Sequence, residues 1–191
     1  LQVWLERYGS EVAFQIEPGR YVVAESGVLL GTVHSVKESY GTRYVGTDLG
    51  FNVLARPVLY DAYHEMEAYD AAGVPKNAEY ENVTVVGNIC ESGDILARER
   101  NLPRMEPGDL IGVLDAGAYG YSMCSNYNNR LRPAEVLIRM DGTPALIRRR
   151  ETLKDLSRLD PDLSDTIHSS EGDDEIEVRG ARRRAVGGQV F

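Results

Sequence analysis

From Val28 onward the chain is a succession of short apolar runs rich in β-branched residues, each cut off by glycine, proline or aspartate. Val28 to Val36, Val83–Gly87, Leu110–Leu114 and Glu135–Met140 all read as strands. The last meets Asp141-Gly142, a strong hairpin signal, and returns through Ala145-Leu146-Ile147. Spacing this irregular suits a Greek-key barrel or sandwich better than a parallel sheet, so the body from Gly19 to Arg149 is expected to be mainly β. Two helices are expected with it, one over Pro57–Tyr69, where Val58, Tyr60, Ala62, Met66 and Tyr69 share parts of one face, and one over Arg150–Leu159.

The two ends have a different character. Leu1 to Gly9 reads as the end of a helix closed by glycine, and Glu11 to Ile16 as a strand entering the rigid turn Glu17-Pro18-Gly19-Arg20. That sequence of elements resembles the last helix-to-strand step of a βα barrel. Because the chain opens at Leu1 inside what reads as a continuing segment, a piece of a longer protein is expected. The expected division is residues 1–23 as a barrel remnant, 24–155 as a β-domain and 156–191 as a tail. In the tail, acidic residues from Asp160 to Glu177 precede Arg179 and Arg182-Arg183-Arg184, a composition too poor in apolar surface to fold alone, so disorder is expected there.

Composition removes several function classes. The 191 residues are 42% hydrophobic, enough for one well-filled core plus a fragment of a neighbour. A formal charge of -9 opposes binding to nucleic acid or to an anionic membrane, since either surface repels the molecule at long range. No stretch approaches the ~20 apolar residues of a membrane span, and the first residues lack a signal peptide's pattern, so a cytoplasmic location is expected. Cys90 and Cys124 stand outside any CxxC or CxxH pair, and no metal is expected.

Four segments carry more polar and glycine residues than a plain β core wants: Glu17-Pro18-Gly19-Arg20, Arg56 to Asp61, Cys90-Glu91-Ser92-Gly93-Asp94, and Asp115 to Tyr121. Taken alone, the first reads as a turn whose charges face water. Taken as a site, it offers a carboxylate for a protonated ring nitrogen, and an arginine with backbone N–H groups for an anion. Cys90 reads either as an inert thiol or, with Glu91 and Asp94 beside it disfavouring the thiolate, as a proton donor. Gly117-Ala118-Tyr119-Gly120-Tyr121 reads as a tight barrel corner or as a place where small residues let a tyrosine hydroxyl reach a phosphate or carboxylate, and both readings can hold. His34 and His64 read as structural, His168 as tail and Cys124 as a core thiol.

In this order the segments resemble the C-terminal half of the alanine-racemase-like, fold-type III decarboxylases, and most closely their diaminopimelate branch. The likeness runs from about Leu5 to Thr152. It rests on Glu17 to Arg20, on Gly87-Asn88-Ile89-Cys90-Glu91-Ser92-Gly93-Asp94, on Ala116 to Met123, and on Asn126-Tyr127-Asn128 with Arg132 to Leu137 after it. The resemblance implies pyridoxal 5'-phosphate as cofactor and decarboxylation of meso-2,6-diaminopimelate to L-lysine. It implies that Glu17 pairs with the coenzyme's ring nitrogen, that Pro18, Gly19 and Arg20 help hold the phosphate, and that Arg20 reaches the substrate. It places Arg56 and Tyr60 on the carboxylate at the distal, D-configured carbon, Glu91 on the distal ammonium, and Tyr119 on both phosphate and substrate. Cys90 is implied as the proton donor, lent with Glu91 across the interface of a homodimer with shared sites. The lysine that anchors the cofactor, and the glycine-rich phosphate loop, would lie in roughly 200 or more barrel residues before Leu1. None of Lys37, Lys76 and Lys154 has a matching context, so the chain by itself is expected to be inactive. The alternatives are a decarboxylase of ornithine, arginine or carboxynorspermidine, which Arg56 opposes because a substrate ending in an amine wants an acid there, and a noncatalytic β-domain that complements a separate barrel.

Overall fold

The computed structural model describes residues 2–9, 13, 15–160, 167–168 and 177–178. It divides into two units, Leu1–Thr152 and Leu153–Phe191.

The first unit begins with helix α1 (Gln2–Tyr8), closed as expected by Gly9 at φ +66°, a left-handed conformation glycine adopts without a Cβ penalty. Ala13, Gln15 and Ile16 form no strand, and Glu11, Val12 and Phe14 lie outside the described residues. A barrel strand needs a neighbour for its ladder, and none of the described strands pairs with this segment. A short helix, α2 (Gly19–Val23), then runs into a 3-10 turn at Ala24–Ser26.

Six strands form the main sheet: β1 (Leu29–Ser39), β2 (Thr42–Thr47), β3 (Met66–Tyr69), β4 (Tyr80–Val86), β5 (Ile95–Pro103) and β6 (Leu110–Val113). Their order is β3-β6-β1-β2-β4-β5; β2 and β4 run parallel and every other neighbouring pair antiparallel. Strand β1 does double duty. Leu29 to Thr32 pair with β6, and from Val33 onward the strand pairs with β2, with a register shift at His34. A bulge there bends the strand, and the sheet curls until its edges β3 and β5 come into contact, giving a nearly closed barrel. His34 is thus an exposed bulge residue rather than part of the core.

The barrel interior is filled by Val33, Val45, Leu54, Val83, Val85, Leu96, Met105, Ile111 and Val113, all at most 2% exposed. Each such side chain contributes about 1.5–3 kcal/mol by leaving water. His64 is structural, as expected: it is buried, and its Nδ1 donates to the Leu114 carbonyl at 2.8 Å.

The helix expected over Pro57–Tyr69 covers only α3 (Arg56–Tyr60). Asp61 turns left-handed at φ 50°, and Met66 to Ala68 alternate buried, exposed, buried against β6. The same apolar spacing fits both periods, and pairing with β6 decides for the strand. After the barrel, β7 (Glu135–Ile138) and β8 (Pro144–Arg148) form the hairpin expected at Asp141-Gly142, with Asp141 accepting from the Thr143 amide at 2.9 Å and Gly142 at φ +81°.

The second unit contains one helical turn, α4 (Leu153–Leu156), where Arg150–Leu159 was expected as helix, and a two-residue pairing of β9 (Ile167–His168) with β10 (Glu177–Val178). The rest of the tail expected to be disordered lies outside the described residues from 161 on.

Candidate active site

Arg56 opens α3 with Pro57 behind it in the first turn, where a fixed φ and a missing N–H cost nothing. Its side chain is 9% exposed and lies between two aromatic faces. Tyr60, one turn on, has its ring centre 5.6 Å from the guanidinium carbon, and Tyr119, from the loop after β6, has its ring centre at 5.5 Å. Tyr119 is held at φ 58°, a region a tyrosine occupies only when its surroundings impose it. Among the described residues the guanidinium makes no ion pair and donates no hydrogen bond. A cation set between two ring faces with no acidic partner among the described residues suits an anion of fork-compatible shape, a carboxylate or phosphate.

A pair of glycines ties the Tyr119 loop to α2. The Gly117 amide donates to the Ala24 carbonyl at 3.0 Å and the Ala116 amide to the Gly27 carbonyl at 2.8 Å. A Cβ on Gly117 would stand 2.1 Å from the Val23 carbonyl oxygen, and one on Gly27 would stand 2.7 Å from the Gly117 backbone, so the two segments touch only because neither has a side chain. The Glu17-Pro18-Gly19-Arg20 turn leads directly into this anchored helix. All four of its residues are exposed, and the Gly19 amide donates to the Glu17 carbonyl at 2.9 Å. No hydrogen bond, ion pair or ring contact among the described residues joins Glu17 or Arg20 to Arg56, Tyr60 or Tyr119.

The turn between β4 and β5 carries Cys90 and Glu91, both exposed, on a base built around Asp94. The Asp94 carboxylate, 3% exposed, accepts the amides of Phe51 and Ile89, each at 2.7 Å. Burial holds this carboxyl above its usual range, and the two amides offset that only in part. Its oxygens fill the space above Gly87, where a Cβ would stand 2.2 Å from Oδ2. Asp94 therefore faces the fold, not the thiol. The Arg130 guanidinium donates to the Asn88 carbonyl at 2.9 Å, and the Tyr127 hydroxyl donates to Oε1 of Glu91. These contacts make Asp94, Tyr127 and Arg130 part of the turn's architecture. In the sequence Tyr127 stands only within Asn126-Tyr127-Asn128, and nothing along the chain marks Glu91 as its partner.

The two cysteines differ sharply. Cys124 donates its S–H to the Val53 carbonyl at 3.2 Å, and burial pushes its pKa up to about 11. With Ellman's reagent at pH 8 the native chain is expected to lose one thiol, Cys90, within minutes, and to expose the second only in denaturant. Equal native labelling of both cysteines would contradict this arrangement. Among the described residues no group of three or more His, Cys, Asp or Glu side chains is placed to hold a metal ion, and no helix is long and apolar enough to cross a membrane.

The family model for the pyridoxal-dependent decarboxylase C-terminal sheet domain matches residues 20–117, and the chain belongs to that family. It is 46% identical over 143 residues to the diaminopimelate decarboxylase of Methanothermobacter thermautotrophicus, covering 75% of this chain and 32% of that protein. Against the diaminopimelate decarboxylase of Archaeoglobus fulgidus the identity is 49% over 148 residues, covering 77% of this chain and 34% of the relative. A crystal structure of the M. jannaschii diaminopimelate decarboxylase in co-complex with L-lysine superposes with a TM-score of 0.69 at 40% identity, over 84% of this chain and 36% of that one. The chain thus spans about a third of the length of the curated relatives it matches.

Proposed function

We propose that the full-length protein is a pyridoxal 5'-phosphate-dependent decarboxylase that converts meso-2,6-diaminopimelate to L-lysine and carbon dioxide. The observation that carries this reading is the Arg56 guanidinium, nearly buried between Tyr60 and Tyr119 with no carboxylate of the described chain to pair with. A substrate whose far end bears a carboxylate fits that cation; one that ends in an amine, such as ornithine, is repelled by it.

The residues present suit the coenzyme in part. Glu17 is exposed and its carboxylate is free to hold a ring nitrogen protonated, and the turn at Gly19 is open, with no atom within 4 Å of where a Cβ would stand. Arg20 and Tyr119 add a cation and a hydroxyl for the phosphate. Lys76 is engaged in an ion pair with Asp109, and Lys37 lies on β1 opposite Tyr44. In the proposed division, residues 1–23 complete a coenzyme-binding barrel and residues 24–155 are the sheet domain. The coenzyme, when bound, supplies the electron sink for the bond that breaks as carbon dioxide leaves.

Arg56 and Tyr60 then fix the far carboxylate, Glu91 takes the far ammonium, and the Cys90 thiol gives its proton to the carbon that has lost carbon dioxide. The product's configuration corrects one expectation. If L-lysine is formed from the meso compound, the D-configured carbon loses its carboxylate and the L-configured one keeps it. Arg56 therefore grips the L end, not the D end. Cys90 and Glu91 act, in this reading, in the site of a second copy, within a twofold homodimer. Two unpaired cysteines suit a reducing compartment, and the cytoplasm is the proposed location.

Steady-state assays of the full-length protein test the proposal. Lysine formation from meso-diaminopimelate, with ornithine turned over at least a hundred times more slowly, roughly the discrimination that a misplaced charge provides, is the expected result. Comparable turnover of ornithine would overturn it.

A further inference from the structure

The loop after the 3-10 turn at Tyr121–Met123 is more tightly built than a connector needs to be. The Asn126 amide donates to the Arg130 carbonyl at 2.9 Å and to Glu151 at 2.6 Å, and Glu151 in turn accepts the Arg132 backbone amide at 2.8 Å and its guanidinium at 2.7 Å. Asn128 and Asn129 are both held at φ 56°, a left-handed region that asparagine tolerates but rarely occupies twice in succession. The residue this network presents is Tyr127. Its ring packs on Phe51 with centres 5.3 Å apart and an angle of 37°, while the Phe51 amide is bound by Asp94 at the base of the Cys90 turn. Its hydroxyl reaches Oε1 of Glu91 across 36 positions of sequence. The Glu91 carboxylate raises the Tyr127 hydroxyl above the usual phenol range, chiefly through that hydrogen bond, and Cys90 is near enough to add to the effect.

We propose that Tyr127 is a positioning residue for Glu91: it holds one carboxylate oxygen through its hydroxyl and leaves the other oriented toward a substrate ammonium. This rests on the reading of Glu91 as the group that binds the far ammonium of the substrate. An exposed glutamate on a turn otherwise samples several rotamers, and ordering a side chain of that length on binding carries an entropic cost. The phenol removes that cost before substrate arrives. It also sets the direction of Glu91 without adding a charge, so the carboxylate stays available to a cation. The backbone N–H groups of Phe51 and Ile89 fix the base of the same turn through Asp94, so that the rigid turn and the oriented side chain are supplied by separate contacts.

The test uses the full-length enzyme as Tyr127→Phe, Glu91→Gln and the double variant, with meso-diaminopimelate as substrate. Phenylalanine keeps the ring on Phe51 and removes only the hydroxyl. The expected result is a KM raised about ten-fold by Tyr127→Phe, the loss of one hydrogen bond to a charged acceptor, with kcat within about two-fold and the coenzyme's absorbance unchanged. In the Glu91→Gln background the same substitution is expected to raise KM less than about two-fold further, since its effect passes through the carboxylate. A purely structural role for Tyr127 would persist undiminished in that background, and that outcome, or an unchanged KM in Tyr127→Phe while Glu91→Gln raises it, overturns the proposal and leaves the reading of Glu91 standing. An unchanged KM in Glu91→Gln itself overturns that reading, and the proposal with it.

Discussion

Arg56→Ala in the full-length enzyme is expected to lower kcat/KM for meso-diaminopimelate by roughly a hundred- to a thousand-fold, the loss of about 3–4 kcal/mol that follows when one partner of a desolvated charge pair is truncated. The effect is large because Arg56 is 9% exposed, so the carboxylate it meets is also taken out of water. Arg56→Lys is expected to recover little of the loss, since an ammonium cannot make two parallel bonds to a carboxylate or lie flat between the rings of Tyr60 and Tyr119. The fold itself should tolerate both changes. Removing an uncompensated cation from a tyrosine-lined pocket costs packing but relieves desolvation, and thermal unfolding is expected to stay within a few degrees of wild type. An unchanged kcat/KM in Arg56→Ala would remove the distal carboxylate from this pocket.

The second large effect is structural. Gly117→Ala places a methyl group 2.1 Å from the Val23 carbonyl oxygen, 2.7 Å from Ser26 Oγ and 2.9 Å from the Ala24 carbonyl oxygen. Two of those three atoms are backbone and cannot rotate away, so α2 and the Tyr119 loop must separate, and the Gly117 amide loses its bond to Ala24. Overpacking and the lost hydrogen bond together are expected to cost about 2–4 kcal/mol. In a protein of this size that lowers the melting temperature by roughly 5–15 °C. Gly93→Ala is the control, because nothing lies within 4 Å of the added carbon there. Hydrogen exchange should show the Ala116 and Gly117 amides opening in Gly117→Ala and staying protected in Gly93→Ala; equal melting temperatures for the two variants would contradict the close approach.

Much of this arrangement could be read along the chain where one segment holds all the needed chemistry. Arg56 and Tyr60 lie four positions apart, so a single helical turn brings them together. The strands around Val83 and Leu110 were legible because their apolar residues are contiguous. Strands β2 and β5 were not foreseen. Arg43 in β2, and Arg98, Glu99 and Arg100 in β5, interrupt the apolar pattern, and two of these side chains find partners outside the core, Arg43 with Glu81 at 2.7 Å and Arg100 over the Tyr63 ring at 3.6 Å. A strand whose outer face is charged loses the signal that marks it.

Contacts between distant segments were the least legible. Gly27 and Gly117 each look like ordinary turn glycines, and their shared purpose exists only when the fold brings together two positions 90 apart in the sequence. Asp94 was read as a neighbour of Cys90 that would act on the thiol, yet its carboxylate turns inward to the Phe51 and Ile89 amides. Adjacent residues on a tight turn point in different directions, and spacing alone does not say which. Tyr127 and Glu91 show the same limit, for their hydrogen bond joins residues 36 positions apart.

One measurement bears on whether the arginine pocket and the thiol turn serve a common site from opposite subunits. Full-length Arg56→Ala and Cys90→Ala enzymes, each nearly inactive alone, are unfolded together, refolded and assayed for lysine formation. If the two residues come from different subunits of a twofold dimer, half of the randomly formed dimers are mixed and each has one intact site, so activity should return to about a quarter of wild type. Mixed dimers that form and stay inactive would place Arg56 and Cys90 in the same subunit's site and contradict the shared arrangement.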